Sequence, residues 1–472
     1  MPTLPTPRKR AYVETYGCQM NVSDGELMEG ILVAGGYEIA SSPEQADVVL
    51  VNTCAIREHA EQRVLGRVSQ LSAIKRERPD FVIGVTGCMA QRMGEDLLAS
   101  APYVDLVMGP DGYRALPEAL ARIGAAERPA FAPAHAATAP WSQLPRKARV
   151  QLAVVDFDRE ESYEGLAPHR GSDVTAWVTV QRGCDHRCTF CIVPYVRGPE
   201  KNRRPEEVLA EVTAVAARGI TEVTLLGQTV NSYNHPGWSF PRLLREVARV
   251  PGIRRVRFTS PHPNDVTPEL VEVMAGEGTV CEQLHLPLQS GSDAVLKRML
   301  RRYTVASYLE KVAMVRAAVP EIALSTDLIV AFPGETDADF EATLALVRTV
   351  RFDDAYTYRY SPREGTPATR LPPASFLPDE VAQARLERLI GVARDVQAEI
   401  NRAEVGRVDE VLVERVGRTP GQLLGKTRRN KVVAFDGDPS AIGSYRCVLL
   451  ERTSGATFGG RLMEERARAE SA

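Results

Sequence analysis

The stretch WVTVQRGCDHRCTFC, residues 177–191, decides how the rest of the chain is interpreted. It begins as an apolar strand and runs into a loop that holds Cys184, Cys188 and Cys191, here named the loop cysteines. Three thiolates on one short loop can bind three irons of a cubane iron–sulfur cluster and leave the fourth iron without a protein ligand. The alternative is a zinc site completed by His186 or by a distant residue, although structural zinc sites usually use paired CxxC or Cys/His motifs.

Strands alternate with helices after this loop. The strand-like segments are EVTLLGQ, IRRVRFTS, EQLHLPLQ, IALSTDLIVAF and DDAYTYRYS, and helical sequence at 204–217 and 308–319 separates some of them. Together with WVTVQ they predict an open or partial (β/α) barrel, in which cofactor sites lie at the C-terminal ends of the strands. The polar candidates for cofactor binding at these ends are Gln228, Asn231, Ser260, His285, Gln289 and Asp327.

An α/β pattern also precedes the loop. YVETYG, DVVLVNT and FVIGVTG are typical of parallel strands, with helices predicted near 23–34 and 55–75. Each strand is followed by a cysteine, and Cys18, Cys54 and Cys88 are named here the strand-end cysteines. Because parallel strands end at one edge of a sheet, these thiols can converge at a second three-ligand site. Buried cysteines that act only as small hydrophobes are the alternative.

Composition and length predict an α/β protein of three folded parts. The chain has 472 residues, about three domains' worth, and its 44% hydrophobic and 25% charged residues exclude a largely disordered or fibrous protein. A helix from Pro378 leads into short strands with Gly turns, which predict a small antiparallel β-barrel. The predicted parts are an N-terminal parallel-sheet domain at 1–125, a linker at 126–173, the partial barrel at 174–404 and the small β-barrel at 405–472.

Charge is informative only locally. The net charge of −3 excludes a uniformly basic nucleic-acid coat, yet residues 407–462 hold ten Lys and Arg against six acids. Four of these cations, named here the basic turn residues, stand at a predicted turn where they can meet RNA phosphates: Lys426, Arg428, Arg429 and Lys431. A solvated charged face is the alternative.

The sequence shows neither a secretory signal nor an apolar stretch of about 20 residues. We therefore expect a soluble, cytoplasmic protein without a membrane partner. In such a protein the two cysteine sets favour metal or redox chemistry over disulfides. The remaining two cysteines, Cys281 and Cys447, are interpreted as structural.

The loop CDHRCTFC resembles the signature of the radical SAM superfamily. The resemblance implies that the open iron of a [4Fe-4S] cluster binds the amino and carboxylate groups of S-adenosylmethionine. One-electron reduction then cleaves the sulfonium and releases a 5′-deoxyadenosyl radical.

YGCQMNVSD, NTCAIREHA, GVTGCMAQ, LLGQTVNSY, LPLQSGSD and FPGETDADF extend the resemblance to the methylthiotransferases over nearly the whole chain. This resemblance implies that the strand-end cysteines hold an auxiliary [4Fe-4S] cluster whose open iron carries the sulfur to be methylated and transferred. It also implies that the C-terminal strands form a TRAM-like, RNA-binding β-barrel.

Among the methylthiotransferases, GCQMN followed by NTCAIRE resembles the class that acts on C2 of N6-isopentenyladenosine at position 37 of tRNA. Related enzymes modify threonylcarbamoyladenosine in tRNA or an aspartate of a ribosomal protein. The implied partners are tRNA, an electron donor such as a flavodoxin or ferredoxin, and proteins that donate iron–sulfur clusters or sulfur. A non-catalytic iron–sulfur sensor that binds RNA is the alternative from another class of protein.

Overall fold

The computed structural model describes residues 8–55, 58–125 and 150–463. They form two compact units. The first unit contains the described residues up to Gly171 together with 182–185 and 192–203, and the second contains 172–181, 186–191 and the described residues from 204 onward.

The main body of the first unit is a parallel sheet of six strands in the order β2-β1-β3-β4-β5-β6. Its strands and helices along the chain are β1 (Arg10–Thr15), α1 (Gln19–Ala34), β2 (Glu38–Ile39), β3 (Val48–Thr53), α2 (Glu58–Glu77), β4 (Val82–Gly87), α3 (Cys88–Met93), α4 (Glu95–Ser100), β5 (Leu106–Met108), α5 (Leu116–Ala125) and β6 (Leu152–Val154). This confirms the predicted N-terminal α/β fold.

The central strands of this sheet are buried on both faces. Every residue of β3 and β4 is buried, as expected for parallel strands covered by helices on each side. Val48 and Leu50 belong to the core that includes helices α1 and α5, whereas Val49 and Val51 belong to the core that includes α2. Alternate side chains of one strand therefore supply two separate cores, which fixes the register of the strand.

The predicted linker at 126–173 needs a correction in its second half. Its first part, 126–149, lies outside the described residues. The second part returns to the sheet, where Leu152 of β6 pairs with Leu106 of β5. Farther along, the Tyr163 hydroxyl donates to the carbonyl oxygen of Pro110 at 2.9 Å. A three-residue strand is too short to leave a periodic signal in the sequence, which is why the pattern predicted only a connection.

The second unit contains the predicted partial barrel. The elements of this stretch of chain, of which α6 and β9 belong to the first unit, are β7 (Thr175–Thr179), β8 (Gln181–Arg182), α6 (Val193–Val196), β9 (Lys201–Asn202), α7 (Pro205–Ala217), β10 (Glu222–Leu226), β11 (Asn234–His235), β12 (Trp238–Ser239), α8 (Phe240–Ala248), β13 (Arg255–Phe258), α9 (Pro268–Gly276), β14 (Gln283–His285), α10 (Asp293–Arg298), α11 (Val305–Ala318), β15 (Ala323–Val330), α12 (Asp337–Val350) and β16 (Asp354–Arg359).

Six parallel strands of this unit carry the predicted barrel segments. Strands β7, β10 and β13 pair in one sheet and β14, β15 and β16 in another. A parallel bridge between Val256 and Val280 links β13 to the segment that leads into β14. Spatial order therefore follows chain order, in line with the tendency of consecutive strands to lie side by side.

A small closed barrel ends the described chain. It follows α13 (Asp379–Glu404) and contains β17 (Val408–Val416), β18 (Gln422–Thr427), β19 (Val432–Asp436), β20 (Tyr445–Ser454) and β21 (Thr457–Leu462), closed in the order β17-β18-β19-β21-β20. Its core contains eight buried side chains, among them Val411, Val433, Phe435 and Phe458. The predicted antiparallel barrel is confirmed, with the addition that β19 and β21 pair in parallel.

Two arginines of β13 attach this barrel to the rest of the second unit. Arg255 and Arg257 are buried, and both lie beside the buried carboxylate of Glu222. Each donates to two main-chain carbonyl oxygens of the barrel, at 2.7 to 2.9 Å: those of Glu410, Lys426, Thr427 and Arg428. The junction is therefore polar, and four of its acceptors are backbone atoms.

Within the described residues, none of the helices combines the length and the apolar character that crossing a bilayer requires.

Replacement of Arg255 with Met should destabilise the second unit by about 3–5 kcal/mol, because it removes the donor from two partly buried carbonyl oxygens and one neighbour of the buried Glu222 carboxylate. The free energy of unfolding from urea titration measures this loss. Arg254→Met is the matched control, since Arg254 is half exposed and pairs with Glu410 at 3.0 Å. We expect the control to lose less than about 1 kcal/mol, and equal losses in the two variants would contradict the assigned junction.

Candidate metal centres

The structure brings the strand-end cysteines to one edge of the first sheet. Cys54 and Cys88 directly follow β3 and β4, and Cys18 follows β1, the neighbour of β3. Cys18 and Cys54 lie close enough for a hydrogen bond between their side chains, and Cys18 lies close enough to Cys88 to act on the pKa of the Cys88 thiol. Three thiols that follow separate strands of the chain thus lie at the same edge of the sheet.

Glycines make room for these thiols. Gly17 has a φ of +136°, and a Cβ there would lie 2.5 Å from the Cβ of Cys54. Gly87 has a φ of +91°, and a Cβ there would lie 2.4 Å from the carbonyl oxygen of Thr53. Both positions need a residue without a side chain, because the backbone is left-handed and the space is already taken.

Buried amides support the same edge. Asn21 and Asn52 are completely buried, and the Asn52 amide donates to the carbonyl oxygen of Asn21 at 2.7 Å. The Asn21 amide donates to the carbonyl oxygen of Thr53 at 3.0 Å, while its own oxygen accepts from the Cys18 thiol at 3.2 Å. This network ties the start of α1 to the end of β3 and so fixes Cys18 relative to Cys54.

The electrostatics of this edge favour the thiolate form of Cys18, and thiolate is the metal-binding form of cysteine. The hydrogen bond from Cys54 and the Arg197 cation lower the pKa of the Cys18 thiol to about 6, against the opposing effect of burial. Burial raises the pKa of the Cys88 thiol, and the Arg197 cation opposes that rise. A group of three thiols with one already biased toward thiolate fits three ligands of a [4Fe-4S] cluster.

The loop cysteines follow the strands β7 and β8. In the first unit, the Cys184 amide donates to the carbonyl oxygen of Gly198 at 3.2 Å. In the second unit, the Cys191 amide donates to the carbonyl oxygen of Cys188 at 3.1 Å, and the Arg301 guanidinium donates to the Cys188 sulfur at 3.4 Å. Three thiols within eight residues of chain, one of them beside a buried cation, form a donor set that fits an iron–sulfur cluster.

His186, the residue that would complete the alternative zinc site, has other partners. Its ring stacks on that of His262 at 3.9 Å between centroids, and its Nε2 lies 3.3 Å from the Asp265 carboxylate. Burial lowers the pKa of His262 to about 2, so that this ring is neutral in the stack. The ligand atoms of His186, His262 and Asp265 all lie within 4.8 Å of one another, so these three residues could themselves hold a metal ion.

Strained backbone marks the C-terminal ends of three neighbouring strands. Ser260, Gln289 and Ala331 follow β13, β14 and β15, and their φ values are +56°, +73° and +57°. Non-glycine residues adopt such angles rarely, and they concentrate at ligand sites. The side-chain oxygen of Gln289 is buried and has no hydrogen-bond partner among the described residues. An unpaired buried acceptor at this edge fits a ligand that brings its own donors, such as S-adenosylmethionine.

The other predicted cofactor-binding residues divide into two groups. His285 and Asp327 lie on β14 and β15 with 3.3 Å between the ring nitrogen and the carboxylate, and both are partly exposed. Gln228 lies partly buried just after β10. Asn231 instead exchanges two hydrogen bonds with the main chain of His262, at 2.7 and 2.9 Å, and so holds the loop after β13. Its geometry therefore supports a structural role more than a ligand contact.

The basic turn residues are engaged within the chain, which corrects the prediction of a phosphate-binding cluster. Lys431 is 6% exposed and pairs with Asp353 at 2.7 Å. Arg428 binds the Glu282 carboxylate, and Arg429 binds Glu404 and Asp409. The last of the set, Lys426, is one-third exposed and lies 3.4 Å from Glu414. Composition revealed the charges, but their acidic partners stand elsewhere in the sequence.

Sequence reasoning missed both arginines that contact cysteines. Arg197 and Arg301 lie 109 and 113 residues from Cys88 and Cys188, and each is buried against the sulfur. Nothing local in the sequence distinguishes them from other arginines. Asn21 carried a usable signal, because it stands three residues after Cys18 at the start of a helix.

A cysteine loop after the first strand of a β/α framework defines the radical SAM class. Three family models match the chain: "Radical SAM superfamily" at residues 178–347, "TRAM domain" at 402–457 and "Uncharacterized protein family UPF0004" at 10–109. The radical S-adenosylmethionine methyltransferase TsrM from Kitasatospora setae has a similar structure, with a TM-score of 0.53 at 14% identity over 74% of this chain and 72% of that chain. The radical enzyme OxsB gives 0.51 at 14% identity over 82% of this chain and 56% of that chain. At this identity the likeness concerns the fold.

The chain belongs to the tRNA-2-methylthio-N(6)-dimethylallyladenosine synthase family. It is 43% identical to the protein of that name from Thermoanaerobacter sp. (strain X514), over 96% of this chain and 92% of the relative. It is 45% identical to the one from Anaeromyxobacter dehalogenans, over 98% and 96%, and 42% identical to the one from Moorella thermoacetica, over 97% and 99%.

Replacement of Gly17 with Ala should remove most of the iron from the strand-end cysteines, because the new methyl group displaces Cys54. Iron and sulfide analysis in a full-length chain whose loop cysteines are Ala measures this site alone. Gly36→Ala is the matched control, since Gly36 has a φ of +86° but a Cβ there meets nothing within 4 Å. Iron loss in both variants would indicate general backbone strain and contradict the steric argument.

Proposed function

We propose that the chain replaces the C2 hydrogen of N6-isopentenyladenosine, at position 37 of tRNA, with a methylthio group. The observation that carries this proposal is the presence of two three-cysteine sets, one at the edge of a parallel sheet and one on the loop of a radical SAM fold. The names of relatives that match nearly the whole chain support the choice of substrate.

The two sets have separate roles in this proposal. The loop cysteines hold one [4Fe-4S] cluster and the strand-end cysteines hold the other, and three ligands leave one iron open in each. When bound, the clusters and S-adenosylmethionine supply the electron, the radical, the methyl group and the sulfur. A radical cofactor is required because the C2 hydrogen is bonded to an aromatic carbon, and no side chain has a pKa that lets it remove that hydrogen as a proton.

The side chains at the strand ends bind and orient the cofactor in this proposal. Gln289 offers its buried oxygen to a donor of S-adenosylmethionine, and Asp327 with His285 offers an acceptor and a ring nitrogen from the neighbouring strands. The rigid, left-handed backbone at Ser260 and Gln289 keeps these groups in place before the ligand arrives. Binding energy is then not spent on ordering the site.

The terminal barrel presents RNA-binding side chains. Position 37 lies beside the anticodon in a single-stranded loop, whose bases can be splayed out into a pocket. All four basic turn residues are held in ion pairs, and Lys426 is the most exposed of them. We therefore assign phosphate contacts to Lys426 and to the exposed Arg415 and Arg418 near the β17–β18 hairpin. We place the reaction in the cytoplasm, with a flavodoxin or ferredoxin as electron donor and a separate protein that restores the consumed sulfur.

The direct test is anaerobic. Protein with reconstituted clusters receives S-adenosylmethionine, a reductant and tRNA that bears isopentenyladenosine, and the digested tRNA is examined by mass spectrometry for the methylthio nucleoside. If 5′-deoxyadenosine forms without the modified nucleoside, the assigned substrate is wrong and the other methylthiotransferase targets follow. If a full iron complement yields neither product, the sensor hypothesis replaces the enzyme.

Replacement of all three loop cysteines with Ala should abolish 5′-deoxyadenosine formation while the strand-end cysteines keep their iron. Product analysis and iron determination on the same sample check both parts. Cys281→Ser/Cys447→Ser is the control, and it should keep the full iron content. Complete loss of iron in the triple variant would contradict two independent sites.

The variant Arg415→Gln/Arg418→Gln should bind tRNA more weakly. The slope of log affinity against log salt concentration should fall by about 1 for each phosphate contact that is lost. Binding titrations at several salt concentrations measure both quantities. Arg348→Gln, at an exposed position of α12, provides the control and should leave the slope unchanged.

A further inference from the structure

A buried arginine lies beside one of the strand-end cysteines. Arg197 comes directly after α6, and its Nε donates to the Cys88 sulfur at 3.1 Å. Its Nη2 donates to the Asp24 carboxylate of α1 at 2.6 Å. All three side chains are nearly inaccessible to solvent, with Arg197 and Cys88 each 4% exposed and Asp24 2% exposed. The guanidinium thus bridges a thiol and a carboxylate in the interior of the first unit.

The hydrogen-bond pattern shows that this arginine does more than neutralise Asp24. A pair that served only the carboxylate would use two guanidinium nitrogens on two oxygens, the arrangement that Arg and Asp favour. Here Nε is directed to sulfur, and Nη1 is buried with no hydrogen-bond partner among the described residues. The guanidinium is therefore oriented toward the Cys88 sulfur, and the Asp24 carboxylate balances the charge of Arg197.

The packing around Cys88 keeps this contact dry. Ala55, Cys88, Ile192 and Val196 form one buried cluster, so α6 and the residue before it cover the thiol. The Tyr113 hydroxyl, also buried without a partner among the described residues, lies near Asp24 and Arg197 and feels their charges. In surroundings of low dielectric constant, an N–H···S hydrogen bond from a cation is stronger than it would be in water.

We propose that Arg197 is a positioning residue for the cluster bound through the strand-end cysteines. Its hydrogen bond orients the Cys88 sulfur and raises the reduction potential of that cluster, because hydrogen bonds to ligand sulfurs withdraw charge from the iron. This inference rests on the proposed function, in which Cys88 is a cluster ligand.

The experiment uses the full-length chain with its loop cysteines replaced by Ala, so that only the strand-end site carries iron. Arg197→Met removes the donor and keeps the volume of the side chain. We expect the reduction potential, measured by redox titration with EPR detection, to shift to a more negative value. Release of iron to a chelator should be about 10–100-fold faster, the cost usual for the loss of such an outer partner.

Two further variants separate this role from a structural one. Arg170→Met breaks another buried ion pair that involves α1, the one between Arg170 and Glu26 of α1 at 2.9 Å, and it should leave the reduction potential unchanged. The single variant leaves the Asp24 carboxylate buried without its cation and for that reason can fail to fold. Asp24→Asn/Arg197→Met removes both charges and so avoids this unpaired carboxylate. We expect this double variant to show a negative shift as well, because the hydrogen bond to sulfur is lost in both, and a smaller one than in the single variant, because the Asp24 charge is also removed.

The outcomes are distinct. If the double variant has the reduction potential and the iron-release rate of the parent, the proposed role of Arg197 is wrong and the proposed function stays intact. An equal shift in Arg170→Met also overturns it, because any loss of packing would then suffice. If the parent chain with Ala at the loop cysteines binds no iron at all, the strand-end site of the proposed function itself is wrong.

Discussion

The C-terminal ends of neighbouring parallel strands lie at the same edge of a sheet, and the candidate sites of this chain depend on that constraint. Neighbouring parallel strands run in one direction, so the residues that follow them meet at a single edge, whatever their separation in the sequence. In the first unit this edge collects three thiols, and in the second it collects backbone held in rarely adopted angles at Ser260, Gln289 and Ala331. Such angles persist only where the surrounding structure enforces them. A rigid sheet therefore holds reactive groups that no local segment can hold.

The sequence predicted those parts of the fold that have strong local signals. The apolar strands β3 and β4, the six strands of the partial barrel and the Gly-punctuated strands of the terminal barrel were all visible as patterns. The strand β6 was not, because three residues give no periodicity, and it fell inside a segment interpreted as a linker. Helix α1 begins at Gln19, earlier than predicted, because Gln19 and Asn21 interrupt the apolar pattern of its first turn.

The candidate sites show the same division between local and distant information. The positions of the cysteines can be read directly from the sequence, and their location at one sheet edge follows from the order of the strands. The arginines that contact Cys88 and Cys188 lie more than 100 residues away in the sequence, and the sequence around a single arginine does not indicate what it contacts. The basic turn failed for a related reason: composition counts cations, whereas exposure depends on acids such as Glu282 and Asp353 that only the fold brings near.

The junction between β13 and the terminal barrel has a consequence for how such chains diverge. Arg255 and Arg257 bind main-chain carbonyl oxygens, and every residue type offers the same carbonyl. Exchange of side chains in the β18–β19 region therefore leaves these four hydrogen bonds in place, whereas the ion pairs of Arg428 with Glu282 and of Lys431 with Asp353 depend on the residues present.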